Sequence, residues 1–428
     1  MKKIIKFILK IYFNVISSPT ERQCRAGEAR NLAFQFENKN EIPRRYAPRN
    51  DNDSRFLKWL GIIIAFIIFH AAANAQWETE TTLHTSIDDN VSNNYEQLND
   101  KITRLNLGTG YIFDDSDWNT QLFYQGSYNY YSTLTDRIYY FHSAGIATTY
   151  LGETHEFDLG ATYSTRLNRS AYSFLGYNEF NVYVTHKAEP VEGFISTFGY
   201  RANYTAFDEL SDLDNLENVL FGNITHSFET KTTLIAGGDI GAKWYSPVST
   251  SSSVSQSRGN GSIMKSVGTV TSQATAFIKI GQSLFEKTGL SGYARYQLNI
   301  LNNARSLLNI YSVTDDEIFD TRYGYEGLYY ELSLKQLFPY AIAAEIGYGV
   351  AEKNYINSAA YDLIGNILSS ERNDMRYIFS AELKKGFDIS EGNTLVMSLQ
   401  YDSIVNDSND PYFNYHNSVV AFQLGFSF

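Results

Sequence analysis

The chain is almost free of cysteine: Cys24 is the only one in 428 residues. Disulfides and thiolate metal sites are therefore excluded from the sequence beyond Cys24, and that part must be held together by burial and hydrogen bonding. Long apolar runs are also missing, because no stretch after residue 75 approaches the roughly 18 consecutive apolar residues of a membrane-spanning helix. Proline is scarce as well, with seven residues in all.

Positive charge is concentrated at the front. Residues 1–75 contain 13 of the 35 Lys and Arg but only 6 of the 47 Asp and Glu, which leaves 22 basic against 41 acidic residues in 76–428. A segment with a net charge near −19 is a poor nucleic-acid binder, since neutralising phosphates requires clustered Lys and Arg. We therefore expect no nucleic-acid partner.

Residues 58–75 have the composition of a signal peptide. Lys58 precedes an apolar run from Trp59 to Phe69, and Ala73-Asn74-Ala75 is a small-x-small cleavage site. The run is about half as long as a spanning helix requires, which favours a cleaved signal over an anchor. We predict three regions: an unstructured or mis-annotated extension at 1–57, a signal peptide at 58–75 and the mature protein at 76–428. The alternative for 1–17 is an amphipathic anchor.

The mature sequence is rich in aromatic residues that alternate with polar ones. The whole chain has 33 Tyr and 28 Phe, and about sixteen segments of near 9–11 residues alternate in this way, the length that a tilted strand needs to cross a bilayer. They run near 77–87, 101–113, 118–131, 138–151, 155–167, 178–187, 193–207, 217–228, 232–245, 270–284, 289–301, 328–338, 340–353, 375–388, 394–404 and 418–428. The pattern predicts an all-β protein.

The connections between these segments alternate between tight and long. Tight ones include 114–117, 152–154 and 229–231, and long ones include 88–100, 246–269, 302–327 and 354–374. Such alternation is typical of an up-and-down transmembrane antiparallel β-barrel of about 16 strands, with short periplasmic turns and long extracellular loops. The four mature prolines (Pro190, Pro247, Pro339 and Pro411) fall in or beside the connections, as proline should.

The final strand carries the one specific motif. Phe422, Leu424, Phe426 and the terminal Phe428 share one face, and small or polar residues share the other. This strand resembles the C-terminal strand of bacterial outer-membrane β-barrel proteins of the porin-like kind. The resemblance implies an outer-membrane location in a Gram-negative bacterium, with these four residues as the signal that the barrel-assembly machinery reads. It also implies lipid and lipopolysaccharide around the barrel.

Because side chains alternate between the two faces of a strand, odd and even positions separate into a lipid-facing set and a lumen-facing set. Apolar residues such as Leu122, Leu159 and Ile346 fall on one face, while charges fall on the other. We predict that the following line a pore: Arg104, Arg166, Arg201, Asp239, Lys243, Lys279, Arg295, Glu331, Lys335, Glu345, Arg376, Glu382 and Lys384. Buried ions of both signs require water, and about sixteen strands leave room for a channel. The alternative is that these charges pair across the interior only to hold the wall in shape.

Two long connections differ in character. Segment 302–327 contains Leu307, Leu308, Ile310, Tyr311, Ile318 and Phe319, too much apolar surface for a freely solvated loop. We expect it either to pack at the mouth or fold inward as a constriction, with Asp315, Asp316, Glu317 and Asp320 toward water, or to form a small extracellular hairpin. Segment 246–269 is rich in Ser and Gly and is interpreted as a mobile surface loop.

Few residues in the sequence point to a catalytic site. The mature histidines are scattered, and in the pairs His142-Ser143 and His226-Ser227 adjacent side chains point to opposite faces of a strand. We therefore predict no enzyme activity, catalytic residue, metal or cofactor. The predicted function is passive diffusion of small hydrophilic solutes through a mixed-charge lumen. The alternative is a non-conducting barrel that acts structurally or binds partners through its loops. The sequence leaves the solute and the oligomeric state open.

Overall fold

The computed structural model describes residues 77–115, 117–246, 262–264, 269–304, 306–308, 321–364, 366–390 and 392–428. The predicted extension at 1–57 and the predicted signal peptide at 58–75 lie outside these ranges. Eight residues of the 302–327 hypothesis lie outside them too: Ile310, Tyr311, Asp315, Asp316, Glu317, Ile318, Phe319 and Asp320.

Sixteen strands close into one antiparallel barrel. Each pairs with its neighbours in chain order, and β1 pairs with β16 to complete the circle. In sequence they are β1 Trp77–Asp88, β2 Asp100–Asp115, β3 Trp118–Tyr131, β4 Tyr139–Leu151, β5 His155–Asn168, β6 Tyr177–Val191, β7 Phe194–Phe207, β8 Asn215–Ser227, β9 Thr232–Tyr245, β10 Val270–Phe285, β11 Thr288–Leu301, β12 Gly327–Phe338, β13 Ile342–Tyr361, β14 Ile367–Ser390, β15 Asn393–Ser408 and β16 Tyr415–Ser427. The predicted fold class is confirmed.

The connections sort to two ends of the barrel. At one end the turns are tight, as between β6 and β7 or β12 and β13; at the other lie the longer loops, several of which contain one helical turn. These are Thr135–Arg137, Ser170–Leu175, Ser211–Leu213 and Pro411–Phe413, all 3-10 helices, and the α-helical turn α1 at Thr321–Gly324. We call the two ends the turn end and the loop end.

The closing seam joins the two ends of the described chain. Thr79 N donates to Phe428 O at 2.8 Å, and Phe428 N donates back to Thr79 O at 3.0 Å. From there the β1–β16 ladder runs to Asp88 and Val419. Phe428 therefore lies in the hydrogen-bonded closure of the barrel.

Alternation gives the barrel an apolar outer face. Large apolar side chains recur at every second position and are exposed, for example Phe157, Leu159, Tyr163 and Leu167 on β5. At the turn end the outward rings are mostly Phe and Trp, and exposed members include Phe113, Trp118, Phe228, Phe338 and Phe387. An outward apolar band that ends in aromatic rings is what a lipid-facing barrel surface requires.

One predicted loop is wrong in extent. Segment 354–374 was expected to be a long connection, but β13 runs to Tyr361 and β14 starts at Ile367, so most of it is paired strand. The alternation signal depends on one face touching lipid. Where strands project beyond the apolar band both faces can be polar, and the pattern disappears.

Two smaller departures concern other connections. Within 246–269, residues Ser262–Met264 pair antiparallel with Ser306–Leu308 from the next long loop, so two loops are joined by a short ladder. Pro190 lies within β6 rather than in the turn, at a register irregularity between Ala188 and Val191. A bulge tolerates proline because the ladder hydrogen bond is already interrupted there.

Most of the large buried apolar side chains of the described residues lie near the loop end. Val91, Ile138, Leu175 and Leu213, each from a different loop, are at most 4% exposed, as is Phe413 in the last loop. A barrel normally has little apolar core, because its outer face meets lipid and its inner face meets water. Here each of these loops buries an apolar side chain of its own.

Candidate functional site: the lumen and its mouth

The predicted pore-lining residues share the inward face of the strands. Register shows this directly: Glu331 pairs with Tyr293 and Gly349, and Glu345 pairs with Lys335 and Glu382, while outward Tyr330, Tyr348 and Ile346 alternate with them. The same alternation places Arg104, Arg166, Arg201, Asp239, Lys243, Lys279, Arg295, Arg376 and Lys384 inward. The structure therefore gathers the whole set on one surface, although over its full height rather than at one point.

Toward the turn end the inner wall is open. Lys335 Nζ lies 3.6 Å from Glu345 Oε2, with side chains 57% and 37% exposed. Lys279 on β10 and Lys384 on β14 are also exposed. Charged groups this accessible on the inner face need room for water, so this half of the lumen is wide.

Toward the loop end the wall is covered, first by residues 321–326. Arg322 forms an ion pair with Asp239 on β9. The Tyr323 hydroxyl donates to Glu217 Oε1 on β8 at 2.8 Å, and the Tyr323 side chain is fully buried. Lys243 Nζ lies 5.4 Å from the centre of the Tyr323 ring. These contacts fix α1 against the inner wall of β8 and β9.

The same segment is also held on its other side. The Tyr325 carbonyl accepts hydrogen bonds from Gln273 Nε2 at 3.0 Å and Gln297 Nε2 at 2.9 Å. Lys353 Nζ lies 4.5 Å above the Tyr325 ring. Residues 321–326 thus reach from β8 to β13 across the inner wall. This part of 302–327 therefore folds inward, which is one of the two alternatives expected for the segment.

Gly241 on β9 makes this approach possible. A Cβ at Gly241 would overlap the Tyr323 hydroxyl and lie 3.2 Å from Arg322 Nη2. A larger residue would force the Tyr323 hydroxyl and the Arg322 guanidinium from their present positions. Glycine at this strand position therefore allows the close approach of a second layer.

The last loop covers a second part of the inner wall. Arg372 and Asp374 on β14 form a salt bridge with side chains 2% and 0% exposed. The Phe413 ring centre lies 3.4 Å from the Arg372 guanidinium carbon, and the Tyr355 ring centre lies 4.2 Å from the same carbon. Asn406 Nδ2 on β15 donates to the Phe413 carbonyl at 2.7 Å. The loop therefore folds inward over β14 and β15.

The first long loop packs on the last one. Asn94 Nδ2 donates to the Tyr412 hydroxyl at 2.7 Å, and Tyr95 N donates to the Tyr412 carbonyl at 3.0 Å. Asn90 and Asn94 are fully buried, and Asn90 Nδ2 donates to the His416 carbonyl at 3.1 Å. These contacts bind the loops on both sides of the seam into one unit.

Sequence reasoning missed several of these residues. Arg322, Tyr323, Arg372 and Asp374 fall in segments predicted to be loops, and Lys353 is the last residue of the predicted strand 340–353. The parity signal was present for Arg372 and Asp374, which have the same even numbering as Arg376 on β14. No outward apolar residues alternate with them, so the local sequence does not distinguish this stretch from a loop.

Several of the described histidines contact side chains on neighbouring strands. His142 Nδ1 lies 2.7 Å from the Tyr124 hydroxyl on the outer face, and His155 Nδ1 lies 3.2 Å from His186 Nε2. Across the described ranges, no group of three or more His, Cys, Asp or Glu residues is placed to hold a metal ion.

None of the described helices has the length and apolarity to span a bilayer. No sequence-family model matches the chain, and no curated protein matches it. Among solved structures it is similar to OprD of Pseudomonas aeruginosa, with 7% identity, TM-score 0.47 and coverage of 84% of this chain and 97% of that one. It is also similar to OccK5 (OpdH) of P. aeruginosa, with 9% identity, TM-score 0.46 and coverage of 82% and 97%. For OccAB3 of Acinetobacter baumannii the values are 9%, 0.42, 83% and 100%. At these identities and scores, function has to be argued from the chain's own geometry.

Proposed function

We propose that the protein is a porin-like channel for passive diffusion of small hydrophilic solutes. The observation that carries the proposal is the gradient along the inner wall. Charged side chains such as Lys335 and Glu345 are well exposed near the turn end, whereas Arg372 and Asp374 near the loop end are covered. A wide vestibule that narrows at one end sieves solutes by size and by wall charge.

The narrow part is the loop end, where two inward-folded segments, 321–326 and 409–414, cover separate parts of the wall. The thirteen pore-lining side chains would act as the ionic wall of the path, with Asp239, Lys243 and Arg376 nearest the covered region. Nine of the thirteen are basic, although the chain as a whole is acidic. No cofactor or chemical step is needed for sieving.

Location and biogenesis belong to the same proposal. The outward apolar band fits a bilayer, and a signal peptide at 58–75 would direct export to the outer membrane of a Gram-negative bacterium, among lipid and lipopolysaccharide. The C-terminal residues Phe422, Leu424, Phe426 and Phe428 would be read by the barrel-assembly machinery. The exposure of Phe422 on the outer face leaves it accessible to a partner during insertion.

A planar bilayer recording of the purified, refolded protein tests the channel. Stable open steps are expected, with a conductance that scales with salt concentration. A heat-modifiable, correctly folded barrel that stays silent at all voltages would refute the proposal. Refolded protein carrying Gly241→Val serves as a second measurement, because displacing α1 should open a constricted barrel further.

The second candidate is a non-conducting barrel, and the apolar mouth favours it. Val91, Ile138, Leu175, Leu213 and Phe413, which come from five different loops, are each buried, as side chains under a closed cap would be. The two candidates differ in one result: a cap would keep the wild-type barrel silent and allow current only after the loops are disrupted.

A further inference from the structure

The outer face of β3 to β5 carries a group of tyrosines near the loop end. Tyr128 and Tyr130 lie just before the end of β3, and Tyr140 lies at the start of β4. Tyr128 pairs with Tyr140, which in turn pairs with the outward Leu167 on β5, so these side chains share one face. Tyr140 and Leu167 are each 49% exposed. The tyrosines therefore form an outward surface where the strands give way to the loops.

The tyrosine rings pack against one another. The ring centres of Tyr128 and Tyr140 are 5.0 Å apart with an angle of 29° between the ring planes, and the Tyr130 ring centre is 6.4 Å from that of Tyr128. On the same face, the Tyr124 hydroxyl lies 2.7 Å from His142 Nδ1, and these two rings are also stacked. Because each ring restricts its neighbour, the group offers an ordered aromatic surface.

Two exposed cations flank these rings. Lys101 on β2 lies on the outer face, diagonally across the ladder from Tyr130 on β3. Arg169 directly follows β5, two residues after the outward Leu167, and its charge is close enough to the Tyr128 hydroxyl to act on it electrostatically. We use the name tyrosine patch for Lys101, Tyr128, Tyr130, Tyr140 and Arg169.

Exposed cations are rare on the outside of the barrel. Among the described residues, the exposed Lys and Arg that do not belong to the inner wall are Lys101 and Arg169 near the loop end, and Lys231 and Lys287 in turns at the opposite end. Both of the loop-end cations thus lie in the tyrosine patch. An aromatic belt that only meets acyl chains and water requires no such charges, so their placement points to an anionic lipid headgroup.

Two exposed acids belong to the loops beside the tyrosine patch. Asp89 Oδ1 accepts a hydrogen bond from Ser418 N at 2.6 Å on the β16 side, and Asp136 lies in the helical turn between β3 and β4. Within the described ranges, no ion pair joins either acid to Lys101 or Arg169. Both cations are therefore available to a ligand that approaches from the membrane.

The spacing of the two cations selects among anionic lipids. Lys101 and Arg169 lie on the lines of β2 and β5, with the tyrosines on the two strands between them. Neighbouring strands are about 4.8 Å apart, so the two backbone positions are separated by roughly 14 Å. A phospholipid with one phosphate reaches one of the cations, whereas a headgroup with a phosphate at each end reaches both. Sugar rings between the phosphates would suit the tyrosines, because the C–H groups of a sugar face pack on aromatic rings.

We infer that the tyrosine patch binds the headgroup of an outer-leaflet glycolipid with two phosphates, one at Lys101 and the other at Arg169, and with its sugar rings on the tyrosines. The inference rests on the outer-membrane location in the proposed function, and it concerns the outer face of the barrel instead of the path of the solute. Arginine donates two parallel hydrogen bonds to a phosphate, and lysine binds one as a point charge.

Native mass spectrometry of the refolded barrel with added lipid A tests the tyrosine patch. Lipid A is expected to bind about tenfold or more tightly than monophosphoryl lipid A, which lacks one phosphate. Lys101→Gln and Arg169→Gln should each weaken lipid A binding about tenfold or more, since each change removes charge-assisted hydrogen bonds to a phosphate. Arg169→Lys keeps the charge and should recover part of the affinity. Tyr140→Leu stays apolar but loses the flat ring, and should weaken binding about three- to tenfold.

Two matched controls lie outside the tyrosine patch. Lys287→Gln removes an exposed positive charge from the turn between β10 and β11, and Tyr330→Leu removes an outward ring on β12 that is 50% exposed. Both variants should bind lipid A as wild type does. Heat-modifiable gel mobility checks that every variant is folded.

Three results would overturn the inference. The first is lipid A binding that is the same in wild type, Lys101→Gln and Arg169→Gln. The second is phosphatidylglycerol binding as tight as that of lipid A, because the two-phosphate headgroup would then contribute nothing. The third is an equal loss in Tyr140→Leu and Tyr330→Leu, which would remove the role of the rings. Bilayer recordings separate this inference from the channel: a silent barrel that still prefers lipid A refutes only the channel, and a conducting barrel without that preference refutes only the patch.

Discussion

The buried ion pair under the last loop gives the sharpest stability prediction. Arg372 Nε donates to Asp374 Oδ1 at 2.9 Å, and neither side chain reaches solvent. Removing one partner of such a pair leaves a buried charge and typically costs about 3–5 kcal/mol. Asp374 also accepts from Ser408 Oγ at 2.6 Å and from Asn406 Nδ2 at 3.3 Å, so the cost of Arg372→Met should fall near the lower limit of that range.

The double variant Arg372→Met with Asp374→Asn separates the ion pair from the packing. Methionine keeps most of the stack between Tyr355 and Phe413, and asparagine keeps the acceptor for Ser408. The double variant should therefore be more stable than the Arg372→Met single variant, with a coupling energy of about 1–3 kcal/mol. The free energies of unfolding of wild type, the two single variants and the double variant are measured by urea unfolding of the refolded barrel in detergent. Tryptophan fluorescence and heat-modifiable gel mobility follow the transition.

A matched comparison is available at the open end of the lumen. Lys335→Met breaks the solvent-exposed pair with Glu345, which should contribute at most about 1 kcal/mol. The reasoning is refuted if Arg372→Met costs no more than Lys335→Met, or if the two changes at the buried pair are additive within about 0.5 kcal/mol.

Three further outcomes are expected. Gly241→Val should displace α1 and raise the single-channel conductance, whereas Gly281→Val, where a Cβ meets no atom within 4 Å, should not; equal conductances would contradict the assigned constriction. Phe428→Ala should lower barrel assembly in cells while refolding in detergent stays intact, and an equal loss in both assays would reduce Phe428 to a purely structural role. Burial raises the pKa of the Asp214 carboxyl, as does the nearby Asp212. The stability that this carboxyl contributes is thus present below its unfolded pKa and lost as pH rises through the higher folded one. Asp214→Asn should then be at least as stable as wild type at pH 7, with the difference in unfolding free energy gone below about pH 3. A variant that is less stable than wild type at pH 7 would contradict the destabilising effect assigned to the ionised Asp214.

Most of the barrel could be predicted because a lipid-facing strand carries its own signature. Predicted and observed limits coincide at Trp118–Tyr131 and Thr232–Tyr245, where apolar and polar residues alternate across the bilayer. The signature failed at 354–374. There the strands run beyond the apolar band, and nothing in the local sequence distinguishes a paired strand from a loop.

The narrow end could be predicted only in outline. The apolar content of 302–327 indicated that the segment packs against something, but not which wall. The ion pair of Arg322 with Asp239 joins positions 83 apart, and Asn94 with Tyr412 joins positions 318 apart. Contacts over such separations leave no periodic trace in a single sequence.

The sequence by itself indicated about sixteen strands, their antiparallel order and which face of each strand is polar, since alternation and turn length are local properties of the chain. Only the tertiary structure decided where the lumen narrows. That position depends on loops that fold back onto distant strands, and on a closed circle that brings β1 and β16 together.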